Sequence, residues 1–172
     1  MIPKRPTFAS LLLILALPAP PPGGVGAPSP MPTPSPELSP ARVVEIQLAA
    51  LQFNDRPTRD AGIAAAFRFA SPENRKVTGP VARFAQIVRA PGYAPLIDHR
   101  VAGYGVLVVQ GDLAVRRVTV VAADGRAFEF EFRLSKDPAT NCWYTDGVIP
   151  IPDPAQAQPG KIAMNTHPAS IL

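Results

Sequence analysis

Among the side chains in this sequence that could do acid–base chemistry are two carboxylates and two phenols in its second half, Asp98, Asp146, Tyr104 and Tyr144. A carboxylate can remove a proton next to a carbonyl while a phenol donates a hydrogen bond to the oxygen that gains charge, as in an isomerase or lyase. In that scheme Asp98 or Asp146 is the base and Tyr104 or Tyr144 the donor. Local sequence gives each of them another task. Asp146-Gly147 reads as a turn or strand end, Asp98 as a cap after the Leu96-Ile97 turn, and both tyrosines as core residues with their hydroxyls in water. No nucleophile, base and orienting group recur at a recognisable spacing. The favoured reading is a module that binds without catalysing, with Tyr104, Trp143 and Arg75 as candidate contacts. A small isomerase or lyase with a carboxylate base is the alternative.

Other chemistries have less to stand on. His99 has no histidine or cysteine at ligand spacing and His167 lies in a proline-rich tail, so no metal site is expected, and no cofactor motif is present. Cys142 is the single cysteine, which leaves no intramolecular disulfide; beside Trp143 in a strand it reads as a small buried apolar residue. Arg75 could hold an acidic ligand, although an acidic neighbour or a helix carbonyl accounts for it more simply. The formal charge is +4, but Lys4 and Arg5 stand at the extreme N-terminus and the other basic residues are scattered. Arg116-Arg117 reads as a solvated strand, so nucleic-acid binding is not expected.

These residues must be held by a scaffold, and its centre is the stretch Ala127 to Leu134. Phe128, Phe130, Phe132 and Leu134 alternate with Glu129, Glu131 and Arg133, the pattern of a strand buried on one face and wet on the other. Upstream, Ser39-Pro40 opens a helix with serine as N-cap and proline at the first helical position. Val44, Leu48 and Leu51 supply its apolar face. A second helix is capped by Thr58 or Asp60 and carries Ile63, Ala64, Phe67 and Ala70. SPENR, residues 71–75, breaks or restarts it, and Thr78-Gly79-Pro80 reads as the cap of a third helix with Val81, Phe84, Ile87 and Val88 on one face. Tyr93 to Ile97 is a turn or short helix. Strands follow over Val101–Val109, Leu113–Val121 and the central stretch, with Asp124-Gly125 as a hairpin turn. A last strand covers Cys142–Val148. Helices followed by strands predict an α+β domain, N-terminal helices packed on a curved antiparallel sheet of about four strands.

The ends differ in composition. Of 23 prolines, ten fall between Pro18 and Pro40 and five between Pro150 and Pro168. Residues 1–27 combine Lys4 and Arg5, the apolar run Phe8 to Leu17 and small residues up to Ala27, the pattern of a secretory signal peptide. That run is well short of the ~20 residues a membrane-spanning helix needs, so export to the periplasm or medium is expected, with no stable membrane span in the mature protein. Residues 28–38 read as a proline-rich spacer, 39–149 as the single domain and 150–172 as a proline-rich tail. The partners expected are a small apolar ligand or an envelope protein, and a homodimer is a further option.

The order of helices then antiparallel sheet resembles the cystatin-like cone of nuclear transport factor 2 and the ketosteroid isomerase-like proteins. More specifically, VVEIQLAAL (Val43 to Leu51), FASPENR (Phe69 to Arg75), TGPVARF (Thr78 to Phe84), YAPLI (Tyr93 to Ile97) and NCWYTDGV (Asn141 to Val148) resemble an exported bacterial family, domain of unknown function 4864. The resemblance implies a small exported domain with no assigned activity. The cone implies a pocket on its concave face, and that fold carries isomerases, dehydratases and pure binding modules alike.

Overall fold

The computed structural model describes residues 31–152. The expected signal segment, the first residues of the spacer and the tail from residue 153, with His167, lie outside the described residues. Residues 31–39 hold only a short turn before the first helix.

Helix α1 (Pro40–Gln52) begins as its sequence predicts. The Ser39 hydroxyl oxygen accepts from the Arg42 amide at 3.2 Å and Pro40 occupies the first turn, where its missing N–H costs nothing. Its inner face, Val43, Val44, Leu48 and Leu51, is buried. Helix α2 (Ala61–Arg68) differs from expectation at its start. Asp60 stands at the capping position, but its backbone is left-handed and its side chain caps nothing. Its carboxylate instead accepts from Asn54 Nδ2 and pairs with Arg89. Asn54, buried just after α1, supplies the cap: its side-chain oxygen accepts from the Ile63 amide at 3.0 Å and its carbonyl from Gly62 at 2.8 Å. Gly62 is needed there, because a Cβ would overlap the Ala50 carbonyl of α1.

SPENR restarts the chain as α3 (Pro72–Thr78), with Ser71 capping the Asn74 amide at 3.2 Å. Thr78 does not cap the next helix as its sequence suggests. It is the last residue of α3 and its hydroxyl turns back to the Asn74 carbonyl at 2.8 Å, so α4 (Val81–Arg89) starts from Pro80 with no side-chain cap. A 3-10 turn, Ala94–Leu96, leads into the sheet.

Four strands follow, β1 (Val101–Gln110), β2 (Leu113–Val121), β3 (Ala127–Lys136) and β4 (Trp143–Ile151). They form an open antiparallel sheet in the order β1-β2-β3-β4, confirming the α+β class. The last strand runs three residues beyond Val148 and includes Pro150, which an edge strand tolerates because its outer amides have no partner strand. On β3 the alternation holds: Phe130, Phe132 and Leu134 are each 1% exposed, Phe128 is half-buried under Arg126, and Glu129 and Arg133 are exposed. Glu131 on the wet face pairs with Arg117 and Arg133 of the same face. The phenylalanines join Val118 and Val120 of β2, Val43, Val44 and Leu48 of α1, and Ile63 and Phe69 in one core. Burial of such side chains contributes roughly 1.5–3 kcal/mol each.

Candidate functional site

Helices α3 and α4 and the middle of β3 and β4 line a cavity of about 560 Å³. Its wall is mainly apolar, with Leu51, Phe84, Val88, Leu96, Phe132 and Val148 drawn from both helices and sheet. That volume suits a small organic molecule.

One side of the cavity is a polar network centred on Thr145 of β4. The Thr145 amide donates to the Phe69 carbonyl at 2.7 Å, and its own carbonyl accepts from the Ser71 amide at 2.9 Å and from Asn74 Nδ2 at 3.0 Å. The result is a short parallel bridge between Ala70 and Thr145 that fastens the α2–α3 corner to the sheet edge. Inside, the Thr145 hydroxyl donates to Gln47 Oε1 at 2.7 Å while Gln47 Nε2 donates to the Ala66 carbonyl at 3.1 Å. Three residues further along β4 the Val148 carbonyl accepts from the Tyr93 hydroxyl at 3.2 Å. Among the described residues no buried side-chain nitrogen or oxygen lacks a partner. Gln47, Asn74, Thr145 and Tyr93 are thus hydrogen-bonded within the protein, and with the carboxylates of Glu73 and Asp146 on exposed residues of the lining, what the rest of the wall offers a guest is apolar contact.

The candidate residues do not converge. Asp98 is exposed in the loop before β1, with left-handed backbone and its amide bonded to the Leu51 carbonyl at 3.0 Å. Tyr104 sits on β1, 41% exposed, with the Arg116 guanidinium 4.7 Å from its ring centre. Burial of its ring and the nearby Glu45 carboxylate hold the phenol above its ordinary value, so it is a weaker acid. Tyr144, Asp146 and Trp143 belong to β4 at the other edge of the sheet. Three inter-strand steps of about 4.8 Å separate β1 from β4, so Asp98 and Tyr104 cannot act with Tyr144 and Asp146 on one small molecule. Of the four proton-transfer candidates only Asp146 lines the cavity; it is exposed, and its carboxylate accepts from the Ser135 hydroxyl at 2.9 Å.

Trp143 is 9% exposed and belongs to the core, so its size fills the domain and does not face the cavity. Arg75 is spent within the fold: Nε donates to the Ala70 carbonyl at 2.8 Å and the guanidinium lies between the Phe67 and Tyr144 rings. Cys142 is buried immediately before β4, with Sγ 3.5 Å from the Thr140 carbonyl. Among the described residues no group of three or more His, Cys, Asp or Glu side chains could hold a metal ion, and no helix is long and apolar enough to cross a membrane.

Gln47 and Thr145 were not singled out from sequence, yet one signal for them is there. Gln47 stands four residues after Val43 and four before Leu51, a polar side chain on an otherwise apolar helix face, and such a residue needs a buried partner. Thr145 carries no comparable mark.

No curated protein and no solved structure matches the chain. The model of the family described as Domain of unknown function (DUF4864) matches residues 37–158, from just before α1 to just past β4. With every element of the domain inside that match, the chain belongs to the DUF4864 family.

Proposed function

We propose that this chain is an exported, non-catalytic module of the bacterial cell envelope, built as a cystatin-like, nuclear transport factor 2-like cone, that holds a small apolar ligand in the cavity beside Thr145. The observation that carries the reading is a mainly apolar cavity of about 560 Å³ whose inner polar side chains, Gln47, Asn74, Thr145 and Tyr93, already hydrogen-bond within the protein. Export is supported by the basic start, apolar run and small residues of 1–27. Mass spectrometry of the mature protein should find its N-terminus between Val25 and Pro28, and uncleaved protein free in the cytoplasm would refute that part.

Ligand capture is tested with a neutral environment-sensitive dye such as Nile red. It should brighten on binding, and Ile87→Trp, which pushes an indole into the cavity, should weaken binding by about tenfold or more while circular dichroism stays native. Undiminished binding by that folded variant would sink the reading. Asp146 keeps the isomerase or lyase reading alive as the one candidate base that reaches the cavity. Loss of biological function on Asp146→Asn alone, in a stable protein that still binds the dye, would favour the enzyme.

A further inference from the structure

Gln47, Thr145 and Ala66 all line the cavity, and the first two are 5% and 2% exposed, so their polar atoms stand at its buried inner end. Chemistry fixes which atom does what there. The Ala66 carbonyl can only accept, so the amide nitrogen of Gln47 is the atom that faces it, at 3.1 Å. The amide oxygen can also only accept, so Thr145 spends its one hydroxyl proton on Gln47 Oε1, at 2.7 Å. Both side chains are bonded, but neither is used to capacity. Gln47 Nε2 carries two hydrogens and commits one, and the Thr145 hydroxyl oxygen, with two lone pairs, accepts from no partner among the described residues. One donor and one acceptor remain on side chains already in contact, in surroundings that are otherwise apolar.

We propose, resting on the reading of the cavity as a ligand site, that its ligand is a neutral molecule with an apolar body and a hydroxyl group held between Gln47 and Thr145. The ligand oxygen accepts the second N–H of Gln47, and its proton goes to the Thr145 hydroxyl oxygen. A hydroxyl is donor and acceptor at once and answers both vacant positions, whereas an ether or a ketone answers only the amide. The bond between Gln47 and Thr145 stays in place, so a guest does not loosen α1 from β4. The apolar body packs on Leu51, Phe84, Val88, Leu96 and Phe132. Hydrogen bonds are stronger in such surroundings than in water, and a site that bonds a hydroxyl discriminates against the analogue without one.

Charge supports a neutral guest. No lysine, arginine or histidine lines the cavity, so a carboxylate carried to its inner end would be buried without a counter-ion. The charged residues of the lining, Glu73 and Asp146, are exposed and engaged elsewhere: Glu73 pairs with Lys76 at 2.6 Å and Asp146 accepts from Ser135. A cationic group meeting them would do so in water, where such pairs contribute little.

The test is displacement of Nile red from the full chain by probes that share one aromatic body: naphthylmethanol, methylnaphthalene, naphthoate and naphthylmethylammonium. The alcohol should bind about tenfold or more tightly than naphthoate. In the double variant Gln47→Leu with Thr145→Val, native by circular dichroism, the affinity of the alcohol relative to methylnaphthalene should fall about tenfold. An unchanged ratio overturns the proposal. Naphthoate binding as well as the alcohol also overturns it, and that comparison needs no variant. So does an ammonium probe that outbinds the alcohol, which would move recognition to Glu73 and Asp146. In each of these cases the cavity reading survives if Ile87→Trp still weakens Nile red binding. If Ile87→Trp leaves the dye bound as before, the cavity reading and the hydroxyl assignment fall together.

Discussion

At the β4 edge, Thr145 exchanges backbone hydrogen bonds with Phe69 and Ser71 and its hydroxyl reaches Gln47 on α1; at the β1 edge, valines and a tyrosine lie open to water. Strand chemistry alone does not separate the two regions. Both edges carry β-branched and aromatic residues, and β1 is the more uniformly apolar of the pair. What differs is the polar hardware that ties one edge to helices and walls a cavity. A hydrophobic strand is therefore poor evidence of a buried one, and a few committed hydrogen bonds decide where the helices settle.

The largest effect that probes this comparison comes from the core both regions share. Phe130→Ala should cost about 3–5 kcal/mol in urea unfolding, because the ring is fully enclosed and the hole cannot close. Glu131→Ala, one residue on and paired only with exposed arginines, should cost no more than about 1 kcal/mol. Equal costs would mean that the sheet does not separate a dry face from a wet one.

That distinction was legible in sequence because a period of two over eight residues has one economical explanation. Ser39-Pro40 was legible for the same reason: its cap is local, closing within three residues. Asp60 misled because its partners are chosen by packing, and Thr78 because it closes the helix before it instead of opening the next. Asn54 reaches α2 only once α1 and α2 cross at Gly62, and Thr78 finds the Asn74 carbonyl only once α3 exists. The candidate site failed likewise. Tyr104 and Tyr144 look equivalent in the chain, but the strand order sends them to opposite edges, and strand order is not written in either neighbourhood.

A middle-sized effect should isolate the hardware of the β4 edge. Gln47→Leu leaves the Thr145 hydroxyl buried without its acceptor and should cost about 1–3 kcal/mol. Thr145→Val should cost a comparable amount by orphaning Gln47 Oε1. The double variant removes both polar partners together, so its cost should fall short of the sum of the singles. Strict additivity in that cycle would show that the hydrogen bond does not hold α1 to β4, and the contrast between the two edges would lose its cause.

The smallest perturbation is a single proton, placed where the two regions join. His99 is buried between the 3-10 turn beside the cavity and the start of β1. Its Nδ1–H donates to the Leu96 carbonyl at 2.9 Å, since a carbonyl can only accept. Burial holds the imidazole below its ordinary value of 6.5 and outweighs the Leu96 hydrogen bond and the Asp98 carboxylate, both of which pull the other way. The unfolded chain therefore takes up this proton at higher pH than the folded one. The stability that the neutral ring contributes is complete above the ordinary value and drains away as pH falls through the lowered folded value. Urea midpoints should drop between pH 7 and mildly acidic buffer, before carboxylates begin to titrate, and His99→Gln should flatten that slope whatever it does to stability at pH 7. Because the ring adjoins β1, protection against amide exchange in acid should fall first at the Arg100 amide, which donates to the Val121 carbonyl at the start of β1, while the Thr145 and Ser71 amides stay protected. Loss of protection at Thr145 before Arg100 would reverse the order of the two regions and identify the β4 edge as the weaker one.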